Sequence, residues 1–164
     1  VTAVIPELPL PVVDDPDTAG FFAAALAGHV AVRHCRDCGT DLHAPRAHCA
    51  GCGGWNTAWR PLRGTGRLYT WTVVERQLLP AFPVPYTIVL IEPDDAPGVR
   101  LVGYVPGRLD DPTPGQAMHA TFDDVRDGVV VPQWRPGQDS SRPVTETIAL
   151  APPTAGPPGG GLGA

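Results

Sequence analysis

Two matched cysteine pairs constrain this chain more than any other feature: Cys35-Arg36-Asp37-Cys38-Gly39 and Cys49-Ala50-Gly51-Cys52-Gly53. Together they hold all four of its cysteines. The two-residue spacer in each pair turns the backbone tightly, so both sulfurs point inward. The glycine that follows relieves the backbone where sulfur receives N–H hydrogen bonds. Cys35, Cys38, Cys49 and Cys52 can fill a tetrahedral zinc shell at about 2.3 Å. Such a shell leaves no open coordination position, so the metal it holds is structural. Iron in a four-cysteine site fits the same spacing. The competing reading is two disulfides in a secreted domain. It expects a signal peptide, and Val1 to Pro16 has neither a basic region nor an apolar one.

What the chain lacks narrows its chemistry. It has no lysine, and all 12 basic residues are arginine. Neither an imine mechanism nor a phosphate-loop lysine is available. With the cysteines assigned to metal, no cysteine nucleophile is left. The only serines, Ser140 and Ser141, lie together in a Pro/Gly-rich stretch, which excludes a serine triad in the folded part. The histidines are His29, His34, His43, His48 and His119, and no HExxH or HxE pattern joins them. His48 abuts Cys49 and is a candidate competing ligand, although an exposed loop histidine is the simpler reading.

Charge is unevenly placed. The formal net charge is -5. From His29 to Arg67 six arginines (33, 36, 46, 60, 63 and 67) face two aspartates, a local balance of +4. The remainder carries six arginines against fifteen acids, a balance of -9. The cationic segment either meets phosphates or offsets the -2 charge of a four-thiolate zinc centre. No run of 18 apolar residues is present, so no membrane span is expected. Metal thiolates favour a reducing compartment, which places the chain in the cytoplasm.

Periodicity predicts a mainly β chain with a short N-terminal helix, a zinc ribbon and a five-stranded barrel. Asp15-Pro16-Asp17 reads as a helix start, with Asp15 at the N-cap, and the helix continues over Ala19 to Ala27. Phe22, Ala25 and Leu26 mark one face with Phe21 beside it, and the adjacent phenylalanines fit either the core or a partner surface, with docking preferred. Trp55 and Trp59 close the ribbon beside the metal. Strands are expected over Arg67–Arg76, Tyr86–Glu92, Val99–Val105, Ala117–Phe122 and Val129–Trp134. Five short strands with a break after the third fit an OB-type Greek-key barrel. The expected divisions are an arm and helix (1–30), the ribbon (31–59), the barrel (60–136) and a disordered Pro/Gly-rich tail (137–164).

Several motifs now stand in a fixed order: the helix, the first knuckle, Pro45-Arg46, the second knuckle, and Gly64-Thr65-Gly66-Arg67-Leu68-Tyr69-Thr70-Trp71. Pro85-Tyr86 and a closing Val131-Pro132-Gln133-Trp134-Arg135-Pro136 follow. Over roughly Asp17 to Pro136 this order resembles the bacterial and archaeal family of rubredoxin-like zinc-ribbon plus OB-fold proteins that accompany acyl-CoA enzymes. The resemblance implies a non-catalytic scaffold for a thiolase-fold enzyme dimer, a ketothiolase or a steroid side-chain retro-aldolase, within lipid degradation. Some members are fused to a MaoC-like enoyl-CoA hydratase. The chain departs from that pattern in having no hydratase domain and in its Pro/Gly-rich tail, so it reads as a separate subunit or an excised domain. On this reading acyl-CoA is shared with the partner, Arg46, Arg33 and Arg36 are the candidate CoA-phosphate contacts, and Phe21 and Phe22 are the candidate partner interface.

A single-stranded nucleic-acid-binding ribbon/OB module is the alternative, with Tyr69, Trp71, Phe82 and Tyr86 as stacking platforms. A sequence pI near 5.4 opposes it, since phosphate would repel the chain overall. From this inventory the purified chain, free of any partner, is expected to show no thiolase, aldolase or hydratase turnover of acyl-CoA substrates. A steady-state assay showing partner-free turnover would overturn that expectation.

Overall fold

The computed structural model describes residues 9–126 and 128–137. The first eight residues, most of the expected tail, Ser140 and Ser141 lie outside the described residues. The chain forms a helix, α1 (Ala19–Leu26), then a ribbon hairpin of β1 (Val30–Cys35), β2 (Asp41–Leu42) and β3 (Thr57–Leu62). The barrel strands follow: β4 (Thr65–Val74), β5 (Tyr86–Pro93), β6 (Leu101–Pro106), β7 (Ala117–Arg126) and β8 (Val129–Pro136).

The helix falls where its pattern placed it, but its start differs. Asp15 closes a turn in front of the helix, its Oδ1 accepting the Asp17 N–H at 2.8 Å. Thr18 takes the N-cap position without a side-chain cap bond. Its hydroxyl donates instead to the Val12 carbonyl, 3.4 Å away, and so ties down the incoming arm.

The ribbon sheet has the order β2-β1-β3, all antiparallel. β3 was not expected from the sequence, because Pro61 interrupts a short segment with no clear alternation. It nonetheless pairs with β1 along its whole length, from Val30 opposite Leu62 to Cys35 opposite Thr57. β1 is buried on both faces. At one end of this hairpin Val30, Val32 and Leu62 enter the same core as Leu68, Val89, Ile91, Leu101, Met118 and Trp134 of the barrel.

The second sheet has the order β6-β5-β4-β7-β8, the five strands of an OB barrel with its first strand, β4, in the middle. Its two ends meet through side chains. The Tyr104 N–H donates to Gln133 Oε1 at 2.6 Å, and Arg135 Nη1 donates to the Tyr104 carbonyl at 2.9 Å. Trp134 fills the centre at 1 % exposure. It lies directly on β6: a Cβ added at Gly103 would sit 2.7 Å from Trp134 Cδ1. Helix α1 packs on β1, β3 and β8 and covers the junction between ribbon and barrel. Gly103→Ala is therefore expected to destabilise the barrel by about 1–3 kcal/mol through overpacking. A lower urea midpoint at unchanged slope is the readout.

Candidate metal centre

The two knuckles repeat one hydrogen-bond plan. In the first, the Cys35 N–H donates to the Thr40 carbonyl and the Gly39 N–H to the Cys35 carbonyl, both at 2.9 Å. In the second, the Cys49 N–H donates to the Gly54 carbonyl and the Gly53 N–H to the Cys49 carbonyl, both at 2.8 Å. Gly39 and Gly53 each adopt a φ of 75°, a left-handed turn that side chains disfavour. Each knuckle thereby keeps one sulfur inside, at Cys35 and Cys49, and one at the surface, at Cys38 and Cys52.

All four Sγ atoms lie within 4.8 Å of one another. The Cys35–Cys52 and Cys38–Cys49 separations are 3.7 and 3.6 Å. A tetrahedron with sulfur ~2.3 Å from zinc has edges of ~3.8 Å, so the residues fit a metal such as zinc. The electrostatics agree. Hydrogen bonds from the Thr40 hydroxyl and backbone, then from neighbouring thiols, lower Cys38 to about 6. The Gly54 N–H acts to lower Cys52, but Cys38, Cys35 and Cys49 crowd it and raise it to about 12. Four thiols this close cannot all ionise against their mutual repulsion. A bound divalent cation removes that obstacle and ties the two knuckles together.

The arginines of the cationic segment separate into different tasks. Arg33 is buried at 5 % exposure, its Nε donating to Thr57 Oγ1 at 3.1 Å and its guanidinium 5.4 Å from the Trp59 ring centroid. Thr57 in turn donates to the Ala47 carbonyl at 3.0 Å, which fixes the loop carrying Arg46. Arg33 thus holds the loop in place and is turned away from any phosphate, a correction to the expected contact set. Arg60 bridges the two parts of the chain. Its Nε lies 3.2 Å from Asp41 Oδ1, and its Nη2 donates to the Asp95 carbonyl at 2.9 Å. Burial acts to raise the Asp41 carboxyl, but Arg60 and His34 outweigh it and hold it below its ordinary value. Arg36 and Arg46 are exposed, with no ion-pair partner among the described residues.

Other expected residues take different places. His48 stands outside the sulfur group, its ring 5.5 Å from that of Trp55, which is 74 % exposed. Trp59 lies under the helix at Gly20 and beneath the Arg33 guanidinium. Phe21 packs against the chain's own core and meets Phe22 edge-on at 5.3 Å. Phe21 is half-buried, so part of its ring is spent on the chain's own core. A lone apolar pair on a short helix looks alike in either role, since only the neighbouring strands decide its burial. Sequence reasoning missed Thr40 and Arg60. Thr40 follows the first knuckle directly, a position from which it can serve the sulfur. No local signal marks Arg60, whose partners lie far along the chain.

Comparison with known proteins now adds to this geometry. Residues 59–123 match the family described as ChsH2, C-terminal OB-fold domain. A solved chain of the Ltp2-ChsH2(DUF35) aldolase is similar over 77% of this chain and 98% of its own length, at 28% identity and a TM-score of 0.68. A DUF35-family protein of unknown function from Sulfolobus solfataricus shares the fold at 15% identity and a TM-score of 0.51, over 70% of this chain and 83% of that one. A curated protein from Thermomonospora curvata, a probable enoyl-CoA hydratase alpha subunit, is 30% identical over 96 residues. That match takes in 57% of this chain but only 30% of the curated relative. The resemblance read from the knuckles, the Gly-Thr-Gly strand and the closing Trp-Arg-Pro thus agrees with both family and fold.

The reduced, purified chain is expected to carry one divalent metal ion, measured by elemental analysis. Cys38→Ser should abolish metal retention and melt the ribbon, read as lost amide protection over residues 35–54. Because ligation requires thiolates, metal should leave progressively as pH is lowered.

Proposed function

We propose that this chain is a non-catalytic accessory component of a thiolase-superfamily acyl-CoA enzyme, a ketothiolase or a steroid side-chain retro-aldolase. It stabilises the enzyme and helps to form its acyl-CoA site. The observation that carries this reading is the near-complete coverage of the ChsH2(DUF35) aldolase chain by the same ribbon, helix and barrel. The absence of lysine and the commitment of every cysteine to one cluster fit a component that leaves chemistry to its partner. The four-sulfur site holds zinc as a structural tie, in a reducing, cytoplasmic setting. Among the described residues, no helix is long and apolar enough to cross a membrane.

Within this reading Arg46 and Arg36 are the CoA-phosphate contacts. Both are exposed, and the Arg33–Thr57–Ala47 chain of hydrogen bonds holds the Arg46 loop in place. A guanidinium suits phosphate through its planar, bidentate fork.

A tagged chain purified from its native host is expected to bring with it a thiolase-fold enzyme in one-to-one ratio, identified by mass spectrometry. Arg46→Ala should raise the complex's KM for CoA substrates about three- to tenfold, the loss of about 1 kcal/mol of solvent-screened contact, with assembly unchanged. An enzyme that is stable and fully active without this chain would refute the scaffold reading. An unchanged KM would remove only the phosphate contact.

A further inference from the structure

A sheet face that meets water normally carries polar side chains. On their outer face β5 and β6 depart from that rule, while the neighbouring β4 keeps Thr70 and Thr72. Pairing places Thr70, Leu90 and Val102 in one row across the three strands. Thr72, Ile88 and Tyr104 form the next row, and Val74, Tyr86 and Pro106 the third. These positions alternate with the buried Val89, Ile91, Leu101 and Val105, so they point away from the barrel core. No residue in the three rows is charged, and Val102 is 62 % exposed.

The segment between β4 and β5 stands at one end of this face as a wall. Leu78 and Leu79 on it are 70 % and 50 % exposed. The Phe82 ring lies 6.0 Å from Tyr86 and 5.6 Å from Tyr104, which seats the loop on the sheet. The Gln77 amide donates to the Leu79 and Phe82 carbonyls at 2.7 and 2.8 Å and stiffens the loop from within. At the borders Arg108, Arg100 and Arg67 are already paired with Glu75, Glu92 and Asp94 of this chain. Helix α1 is spent on β1, β3 and β8.

OB barrels bind ligands on the face of these strands and on the loop that follows the first of them. The chemistry of the face decides the ligand. Single-stranded nucleic acid needs a cationic groove, and this face has no charge to offer. A second copy of the chain fits poorly. Three strands at ~4.8 Å and three rows at ~6.8 Å give ~290 Å². Two such faces bury ~590 Å², within the range of crystal-packing contacts and well below the ~1,200 Å² of a stable interface. A second copy can add only its own wall to that area, whereas a larger protein can reach past the wall and the borders as well.

We propose that the outer face of β4–β6, walled by the loop over residues 75–85, is where this chain docks on its acyl-CoA enzyme, against an uncharged apolar surface of that enzyme. This rests on the function proposed above and names the surface that serves it. The interface centre is Leu90, Val102, Ile88 and Tyr104, with Leu78 as the anchor at its edge.

The test uses the thiolase-fold enzyme that copurifies with the wild-type chain, repurified and titrated against full-length variants. Val102→Glu and Leu78→Glu alter exposed side chains, so melting temperature and metal content should stay at wild-type values. Each is expected to weaken binding about 30-fold or more, as loss of an interface anchor does. Binding within threefold of wild type for both, while the wild-type chain still captures the enzyme, would overturn the docking face and leave the accessory reading standing. Capture of no such enzyme would overturn both. A concentration-dependent dimer abolished by Val102→Glu in sedimentation would assign the face to a second copy instead. Amide shifts at Leu78 and Val102 on deleting residues 138–164, with no partner present, would assign it to the chain's own end.

Discussion

The antiparallel pairing of β1 with β3 is the interaction on which the rest of this structure depends. Six residue pairs run without a break from Val30–Leu62 to Cys35–Thr57. One end is rooted in the barrel core through Val30, Val32 and Leu62. The other end presents Cys35 and, through Arg33 and Thr57, fixes the loop before the second knuckle. Burial of apolar surface at the root, at about 25 cal/mol per Å², supplies what the small ribbon cannot supply alone. The hairpin is thus a lever arm: the barrel holds it at one end, and the sulfur cluster closes it at the other.

Electrostatics divides the cationic segment by depth. Arg33 is buried and stacked on Trp59, Arg60 is half-buried and bridges Asp41 to the Asp95 loop, and Arg36 and Arg46 face solvent. A buried guanidinium needs fixed partners because removing it from water is costly. An exposed one is free to meet a ligand. The local charge of the sequence segment therefore overstates what is available for phosphate, since two of these arginines are committed to holding the ribbon on the barrel.

On the reading proposed above, the chain works through its surfaces. The barrel uses the inward positions of β5 and β6 for Val89, Ile91, Leu101 and Val105, and closes them over Trp134. The same strands place Ile88, Leu90, Val102 and Tyr104 on the other side, where water would select polar residues. Apolar residues on both faces of a strand indicate two packing partners. One is the barrel itself, and the enzyme proposed above is the other.

The sequence by itself determined the four-cysteine cluster, the helix, the five barrel strands and the OB-type class. Each of these is written in local spacing: two residues between sulfurs, alternation along strands, proline and glycine at the breaks. The tertiary structure alone decided β3, the inward turn of Arg33 and Phe21, the Asp41–Arg60–Asp95 bridge and the outward-facing, largely apolar rows. Pro61 hid β3 from any local rule, yet its strand pairs because β1 offers a partner along its full length. Whether Arg33 or Arg46 is free, and whether Leu90 or Ile91 faces the core, depends on which strand lies alongside. That is fixed by pairing between residues far apart in the chain, where local periodicity carries no information.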